Sequence, residues 1–176
     1  GKDYLDWYNG QGYRGAAFIH VKNYISIGAE YNYLTQSNMY NILEGDNYRP
    51  LYKIQEGDNE YVRSILSLGY PIDLSVRDNF QMYLSLIKVN SMPNSDIEYN
   101  YDHVFFNFLI PYTDKLNFNV KIMAGASDVD TTTWSADQYK QNIFEIGGMG
   151  TLRGYEWKQF YSSHYQSTTL EIWYGS

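Results

Sequence analysis

The chain has 176 residues, a formal net charge of -7 and no cysteine. Without cysteine, disulfides, thiol catalysis and cysteine metal sites are excluded, and the negative charge without a basic run argues against a nucleic-acid partner. The length allows one domain with a real core, and no apolar run reaches the ~18 residues of a membrane helix. The 20 tyrosines and an aromatic share of 18% favour strands over helices.

From the N-terminus, residues 1–12 predict a loop, residues 13–21 a first strand, and Lys22-Asn23 a tight turn. Beyond this turn, apolar and polar residues alternate with period two, which is typical of half-buried strands. The apolar side chains share one face of each strand, as Leu84 and Leu86 do opposite Ser85. The strands predicted in this way cover residues 24–36, 61–75, 79–90, 101–112, 116–126 and 168–174.

The connections between these strands alternate between short and long. Short turns are predicted near residues 22, 77 and 114, and long loops at 37–60, 91–100 and 127–166. Strands of ~9–13 residues cross a bilayer at a tilt, and outer-membrane barrels have short turns at one end and long loops at the other. A mean hydropathy of -0.50 fits such a barrel, because every second residue faces a polar lumen.

These patterns predict an all-β fold for residues 1–176, a transmembrane antiparallel β-barrel segment of about seven strands. Its long loops would be extracellular. A soluble antiparallel β-domain, either a barrel or a sandwich, is the alternative, because its strands alternate in the same way.

The longest loop contains a glycine-dense run from Ile146 to Tyr155 with a single arginine. Glycine permits positive φ and close backbone approach, so this run predicts a loop of specific shape. The run, followed by a strand that carries Glu171, resembles the bacterial surface antigen superfamily: the outer-membrane assembly barrels of the BamA and TamA type and their two-partner-secretion relatives. In that superfamily a Gly-Gly run precedes a Val/Leu-Arg-Gly-Phe/Tyr tetrad in the sixth extracellular loop. The matching residues here are Gly147, Gly148, Gly150, Leu152, Arg153, Gly154 and Tyr155.

The resemblance implies a barrel of about sixteen strands in the bacterial outer membrane, of which this chain would cover roughly the sixth to the twelfth. It implies a protein that inserts or translocates other proteins at that membrane. The implied partners are outer-membrane lipid, client outer-membrane or secreted proteins, and accessory outer-membrane subunits. Some relatives carry a patatin-type lipase domain ahead of the barrel, so a membrane-anchoring barrel of such an enzyme is the rival interpretation.

Arg153 is the motif residue for which an electrostatic role can be predicted. If the loop dips into the lumen, its guanidinium is partly desolvated and needs a carboxylate, which it can bind in a bidentate manner. Glu171 is the predicted partner, because Leu170 and Ile172 on the same strand occupy the lipid face. In the family, the matching arginine pairs with acids on the strands that follow. Glu30 and Asp73 also face inward by parity, and a solvated loop arginine is the remaining possibility.

Enzyme chemistry finds no support in the sequence. It has no Gly-x-Ser-x-Gly elbow and no phosphate-binding Gly-Lys-Ser/Thr loop. The histidines His20, His103 and His164 are not spaced as a metal pair, and the acidic turns at 44–47 and 56–59 lack the spacing of a calcium loop. We therefore predict no catalytic residue, no metal and no cofactor in this segment.

Overall fold

The structure is a computed structural model, and it describes residues 8–22, 24–38, 55–70, 73, 79–129, 143–147 and 160–174. Across these ranges the fold is all-β and contains no helix. The strands are β1 Tyr8–Val21, β2 Ile25–Asn38, β3 Gly57–Gly69, β4 Gln81–Ser91, β5 Asn100–Thr113, β6 Leu116–Ser127, β7 Phe144–Ile146, β8 Phe160–Ser162 and β9 His164–Tyr174.

Seven strands form one antiparallel sheet in the order β1-β2-β3-β4-β5-β6-β9. The short strands β7 and β8 pair only with each other, as a separate two-stranded sheet. The prediction of an all-β antiparallel fold with seven long strands is confirmed. Within the described part of the chain the large sheet does not close into a barrel, and β1 and β9 are its two edges.

Two of the predicted short turns are present where the sequence placed them. Lys22 has a positive φ of 48°, and the Tyr24 N–H donates to the Val21 carbonyl at 3.1 Å, which closes the β1–β2 turn. In the β5–β6 turn, the Thr113 hydroxyl oxygen accepts from the N–H of Leu116 at 3.0 Å, a local bond of the kind that favours turns. The turn predicted near residue 77 lies outside the described residues.

Several strand ends differ from the predicted ones. β1 begins at Tyr8, inside the range predicted as loop, because its backbone pairing with β2 continues to Asn38. β3 ends at Gly69 rather than at residue 75. Gly69 has a φ of 85°, outside the extended region, and its N–H donates to the Tyr24 carbonyl at 2.7 Å, the next position of the β2–β3 register. The long segment 127–166 contains β7, β8 and the start of β9.

The large sheet has two chemically different faces, and the strand registers keep the members of each face together. The first, called here the apolar face, carries Ile27, Leu66, Leu68, Leu84, Leu86, Val104, Phe106, Phe108, Ile110, Phe118, Val120, Ile122, Leu170 and Ile172. The second, called the mixed face, carries most of the charged and amide side chains of the strands, among them Glu30, Arg63, Ser67, Ser85, Asn107, Asn119, Lys121 and Glu171. The side of the sheet predicted for the residues within β2, β3, β4, β5, β6 and β9 is thereby confirmed.

The buried polar side chains of the strands lie on the mixed face, which also buries Val89 and Leu109, whereas five of the apolar-face side chains named above are exposed. Glu30, Asn107 and Asn119 on the mixed face are only 4%, 6% and 0% exposed. On the apolar face, Leu170 and Ile172 are 59% and 58% exposed. Burying amides and charges while leaving large apolar side chains in the open is the reverse of the usual arrangement in a water-soluble domain.

A small core lies at the long-loop end of the sheet, where the segment between β4 and β5 folds over the mixed face. Val89, Ile97 and Tyr99 are buried against one another there. The Ser95 hydroxyl oxygen accepts from the Glu60 N–H at 3.1 Å, which ties this segment to β3. The predicted loop 91–100 is therefore packed against the sheet at this end.

Candidate functional site

Of the seven motif residues, the structure describes Gly147. Gly148, Gly150, Leu152, Arg153, Gly154 and Tyr155 lie outside the described residues. Gly147 is buried and follows β7 directly, with a φ of 136°. L side chains rarely adopt this conformation, so the first glycine of the motif occupies a position that requires glycine.

The motif is bracketed by the β7–β8 hairpin. Ile146 at the end of β7 pairs with Phe160 at the start of β8, so residues 148–159 connect the two paired strands. Both ends of the segment that carries Arg153 are therefore held at one place in the fold.

Ring contacts hold β7 against the mixed face of the large sheet. The Phe144 ring lies 4.7 Å from that of Tyr165 and 6.2 Å from that of His103, centroid to centroid. Gly125 makes room for it, since a Cβ at that position would lie 2.4 Å from the Phe144 ring. His103 Nε2 and the Tyr165 hydroxyl are 2.5 Å apart, which joins β5 to β9 beneath the ring. The chain that leads into the motif thus lies over the mixed face.

Glu171 lies on the mixed face of β9, as the alternation of that strand predicts, and its side chain is 10% exposed. Its Oε2 accepts a hydrogen bond from Asn119 Nδ2 at 2.8 Å and lies 3.4 Å from Lys121 Nζ. Both partners come from β6, the neighbouring strand. Because Arg153 lies outside the described residues, the Arg153–Glu171 pair stays a prediction.

Glu30 holds a charge cluster that the sequence analysis did not identify. Arg63 lies directly across from it in the register of β2 and β3, and Arg63 Nη1 donates to Glu30 Oε2 at 3.4 Å. Arg14 Nη2 donates to Glu30 Oε1 from the other side. Opposite charges with the same parity on adjacent predicted strands were the signal that could have revealed this cluster. Glu30, a rival partner for Arg153, therefore has two arginine partners within the sheet.

Asp73, the other rival, lies beyond the end of β3. β3 ends four residues before it, so the parity that assigned it inward no longer applies. Its N–H donates to Gln81 Oε1 at 2.8 Å, and its carbonyl accepts from Gln81 Nε2 at 3.1 Å. It lines a pocket of about 570 Å³ at the turn end of the sheet, together with Tyr24, Gly69, Tyr70, Asn79, Phe80, Gln81 and Met82.

The two ends of the sheet carry different side chains. The turn end has a row of exposed aromatic residues, namely Tyr24, Tyr70, Phe80, Tyr112 and Tyr174. At the loop end, Lys88 Nζ and Asp102 Oδ1 form an exposed ion pair at 3.0 Å, and Thr35 donates to Asp58 at 2.6 Å. Asp58 lies beyond the apolar rows, and the Thr35 and Tyr33 hydroxyls hold the pKa of its carboxyl below the usual value. The apolar face lies between an aromatic edge and a charged edge.

Among the described residues, no group of three or more histidine, aspartate or glutamate side chains could hold a metal ion. The same residues include no helix of the length and hydropathy needed to span a membrane. No protein-family model matches the chain, and no curated protein matches it.

Proposed function

We propose that this chain is part of an outer-membrane β-barrel of the bacterial protein assembly and translocation superfamily. The observation that carries the membrane assignment is the reversed burial of the two faces. Large apolar side chains such as Leu170 are exposed, while Glu30 and Asn119 are buried on the opposite face. A barrel wall in lipid has this arrangement, since its outer residues contact acyl chains and its inner residues line a polar lumen.

The dimensions of the apolar face support the same assignment. Along β5 it runs from Val104 to Tyr112, which are eight residues apart. At ~3.4 Å per residue this is about 27 Å of strand, or about 21 Å of height at a tilt of ~40°. Outer-membrane barrels have an apolar band of ~25 Å flanked by aromatic residues, and the row at the turn end fits one of those girdles.

Insertion into lipid requires further strands beside β1 and β9. The bilayer core offers no water to unpaired backbone groups, so only helices and closed barrels span it. A larger barrel of about sixteen strands meets this requirement. Pairing with further strands on both edges is therefore part of the proposal.

The loop that carries Arg153 is the feature on which the proposed insertion or translocation activity depends. The Phe144 ring packs on the mixed face just before the loop begins at Gly147, and the proposed lumen lies on that side. Arg153 would then brace the barrel wall through Glu171 rather than take part in covalent chemistry. Insertion or translocation of client proteins, with or without accessory outer-membrane subunits, is the function proposed for such a braced barrel.

Quantitative proteomics of the outer membrane tests this function in the organism that makes the protein. Replacing the chromosomal gene with an Arg153→Ala allele should lower several unrelated barrel proteins, or the surface level of one secreted protein, several-fold. A Lys115→Ala allele is the matched control, because Lys115 lies exposed in the β5–β6 turn. The control should leave all these levels unchanged.

Two results would overturn the proposal. Unchanged client levels together with loss of a surface lipase activity would make the chain an enzyme anchor. Recovery of the protein from the aqueous fraction, monodisperse without detergent, would make it a soluble β-domain.

A further inference from the structure

A pocket of ligand size lies at the turn end of β2, β3 and β4, outside the lumen-side clusters. Its volume of about 570 Å³ lies within the ~300–1,000 Å³ of small-molecule sites. Large apolar side chains dominate its lining, and Tyr70, Phe80 and Met82 are all exposed. The Tyr24 and Tyr70 rings meet edge to face at 5.1 Å and form one wall.

The pocket is continuous with the apolar face. Phe80 and Met82 have the parity of Leu84, and Met82 lies directly across from Phe108 in the β4–β5 register. Tyr70 follows Gly69 at the end of β3, and its ring contacts that of Tyr24. A molecule that fills the pocket from the membrane side would therefore place acyl chains along the apolar face and its headgroup at the aromatic row.

The backbone around the pocket is held in place. Gly69, at the end of β3, has a φ of 85°, and a Cβ there would lie 2.1 Å from the Met82 carbonyl oxygen. Gln81 bonds both the N–H and the carbonyl of Asp73, which fixes that residue beside the start of β4. These contacts make the pocket a built feature of the sheet end.

The lining chemistry selects among lipid headgroups. One carboxylate, from Asp73, and three aromatic rings, from Tyr24, Tyr70 and Phe80, surround the cavity. Aromatic faces and a carboxylate both attract an ammonium group.

We propose that this pocket binds one phospholipid molecule with an ammonium-bearing zwitterionic headgroup at the turn-end edge of the membrane. The inference rests on the proposed membrane location. The Asp73 carboxylate and the aromatic rings recognise the ammonium, and Met82 and Phe80 contact the upper acyl chain. Phosphatidylethanolamine and phosphatidylcholine share this chemistry. A primary ammonium favours the carboxylate, whereas a quaternary one favours the rings.

Native mass spectrometry of the full-length protein, released from vesicles of defined composition, tests the proposal. The vesicles contain equal parts of phosphatidylethanolamine, phosphatidylcholine and phosphatidylglycerol. One ethanolamine or choline lipid should stay bound per protein, at several-fold higher occupancy than phosphatidylglycerol. Asp73→Asn and Phe80→Ser should each reduce that occupancy several-fold. Tyr112→Ser is the matched control, since Tyr112 is 69% exposed in the same aromatic row but does not line the pocket.

Flotation of the same vesicles separates the two possible failures. If the protein does not float with the vesicles, the membrane assignment itself is wrong. Flotation with equal retention of all three lipids, or equal losses in Phe80→Ser and Tyr112→Ser, would reject the pocket as a specific lipid site and leave the membrane assignment in place.

Discussion

At the scale of single residues, hydrogen bonds and ion pairs between neighbouring strands offset the desolvation penalty of the charged side chains on the mixed face. Glu30 is set between Arg14 and Arg63, and Glu171 between Asn119 and Lys121. A buried carboxylate without partners would carry a large desolvation penalty. The partners come from adjacent strands in register, so each cluster also helps to specify which residues face each other across the ladder.

Removing the Glu30 charge should destabilise the protein measurably. Glu30→Gln leaves Arg14 and Arg63 side by side without a carboxylate, and we expect a loss of ~1–3 kcal/mol in the free energy of unfolding. The loss stays below that of a fully buried pair because the Arg14 side chain is 59% exposed. Denaturant unfolding in lipid or detergent measures it.

Asp102→Asn is the control for Glu30→Gln. Asp102 also pairs with a cation across two strands, but both side chains of the Lys88–Asp102 pair are more than half exposed. Exposed pairs contribute ~0–1 kcal/mol, so the control should change the stability little. Equal losses of unfolding free energy in the two variants would show that Glu30 is not buried in the folded protein in lipid or detergent.

The Arg153–Glu171 pair makes a second residue-scale prediction. Arg153→Ala and Glu171→Gln should each lower the heat resistance of the folded barrel and increase protease access to residues 127–166. The double change should cost less than the sum, because each single change leaves one partner uncompensated. Glu171 also pairs with Lys121 Nζ at 3.4 Å, so the loss caused by Glu171→Gln includes that contact. The effect of Arg153→Ala is therefore measured both in the wild-type protein and in the E171Q variant.

The same cycle with Lys121→Met provides the reference value, because that contact is present among the described residues. Strict additivity for Arg153, with coupling for Lys121, would reject the bracing role. The motif would then resemble that of the superfamily without Arg153 forming a bracing ion pair.

At the scale of elements, each long strand presents one apolar and one mixed side, and depth along the strand should decide what a charge costs. Leu84 lies in the middle of the apolar face, whereas Ser64 lies on the same side of the sheet beside Lys88, at the charged edge. Arginine at the centre of a barrel's lipid face costs ~2–4 kcal/mol, but only ~0–1 near the interface.

We therefore expect Leu84→Arg to lower the unfolding free energy by ~2–4 kcal/mol and Ser64→Arg by less than ~1. Reversible unfolding from vesicles measures both. Equally small losses at the two depths would indicate that the apolar face contacts water or another protein surface, not a bilayer.

At the scale of the whole molecule, antiparallel order gives the sheet two distinct ends. The β1–β2 and β5–β6 turns lie at one end with the aromatic row, and the segment 92–99 lies at the other. In a membrane the two ends would face different compartments. Because the chain has no cysteine, single cysteines report on this directly.

A membrane-impermeant maleimide applied to intact cells should label Asn94→Cys and miss Asp114→Cys. Both positions are exposed, and β5 separates them. After cell lysis both should react, which controls for their intrinsic reactivity. Labelling of both cysteines in intact cells would contradict the proposed topology.

The sequence alone determined the seven long strands, the antiparallel order of neighbours and the side of the sheet on which the side chains within those strands lie. These follow from a period of two and from short connections, which are local properties of the chain. Glu171 on the mixed face and the short turns at Lys22 and Asp114 were predictable for this reason. The glycine at position 147 was predictable as a special backbone position, although its φ was not.

Tertiary structure decided what depends on register and on contacts between distant segments. Pairing with β2 extends β1 to Tyr8, whereas the left-handed backbone at Gly69 ends β3 there, so Asp73 lies beyond the strand and lines the pocket. The arginines on either side of Glu30 come from β1 and β3, and β7 is positioned by rings from β5 and β9. Alternation along one strand carries no information about these partners, because it does not specify which residue of the next strand lies opposite.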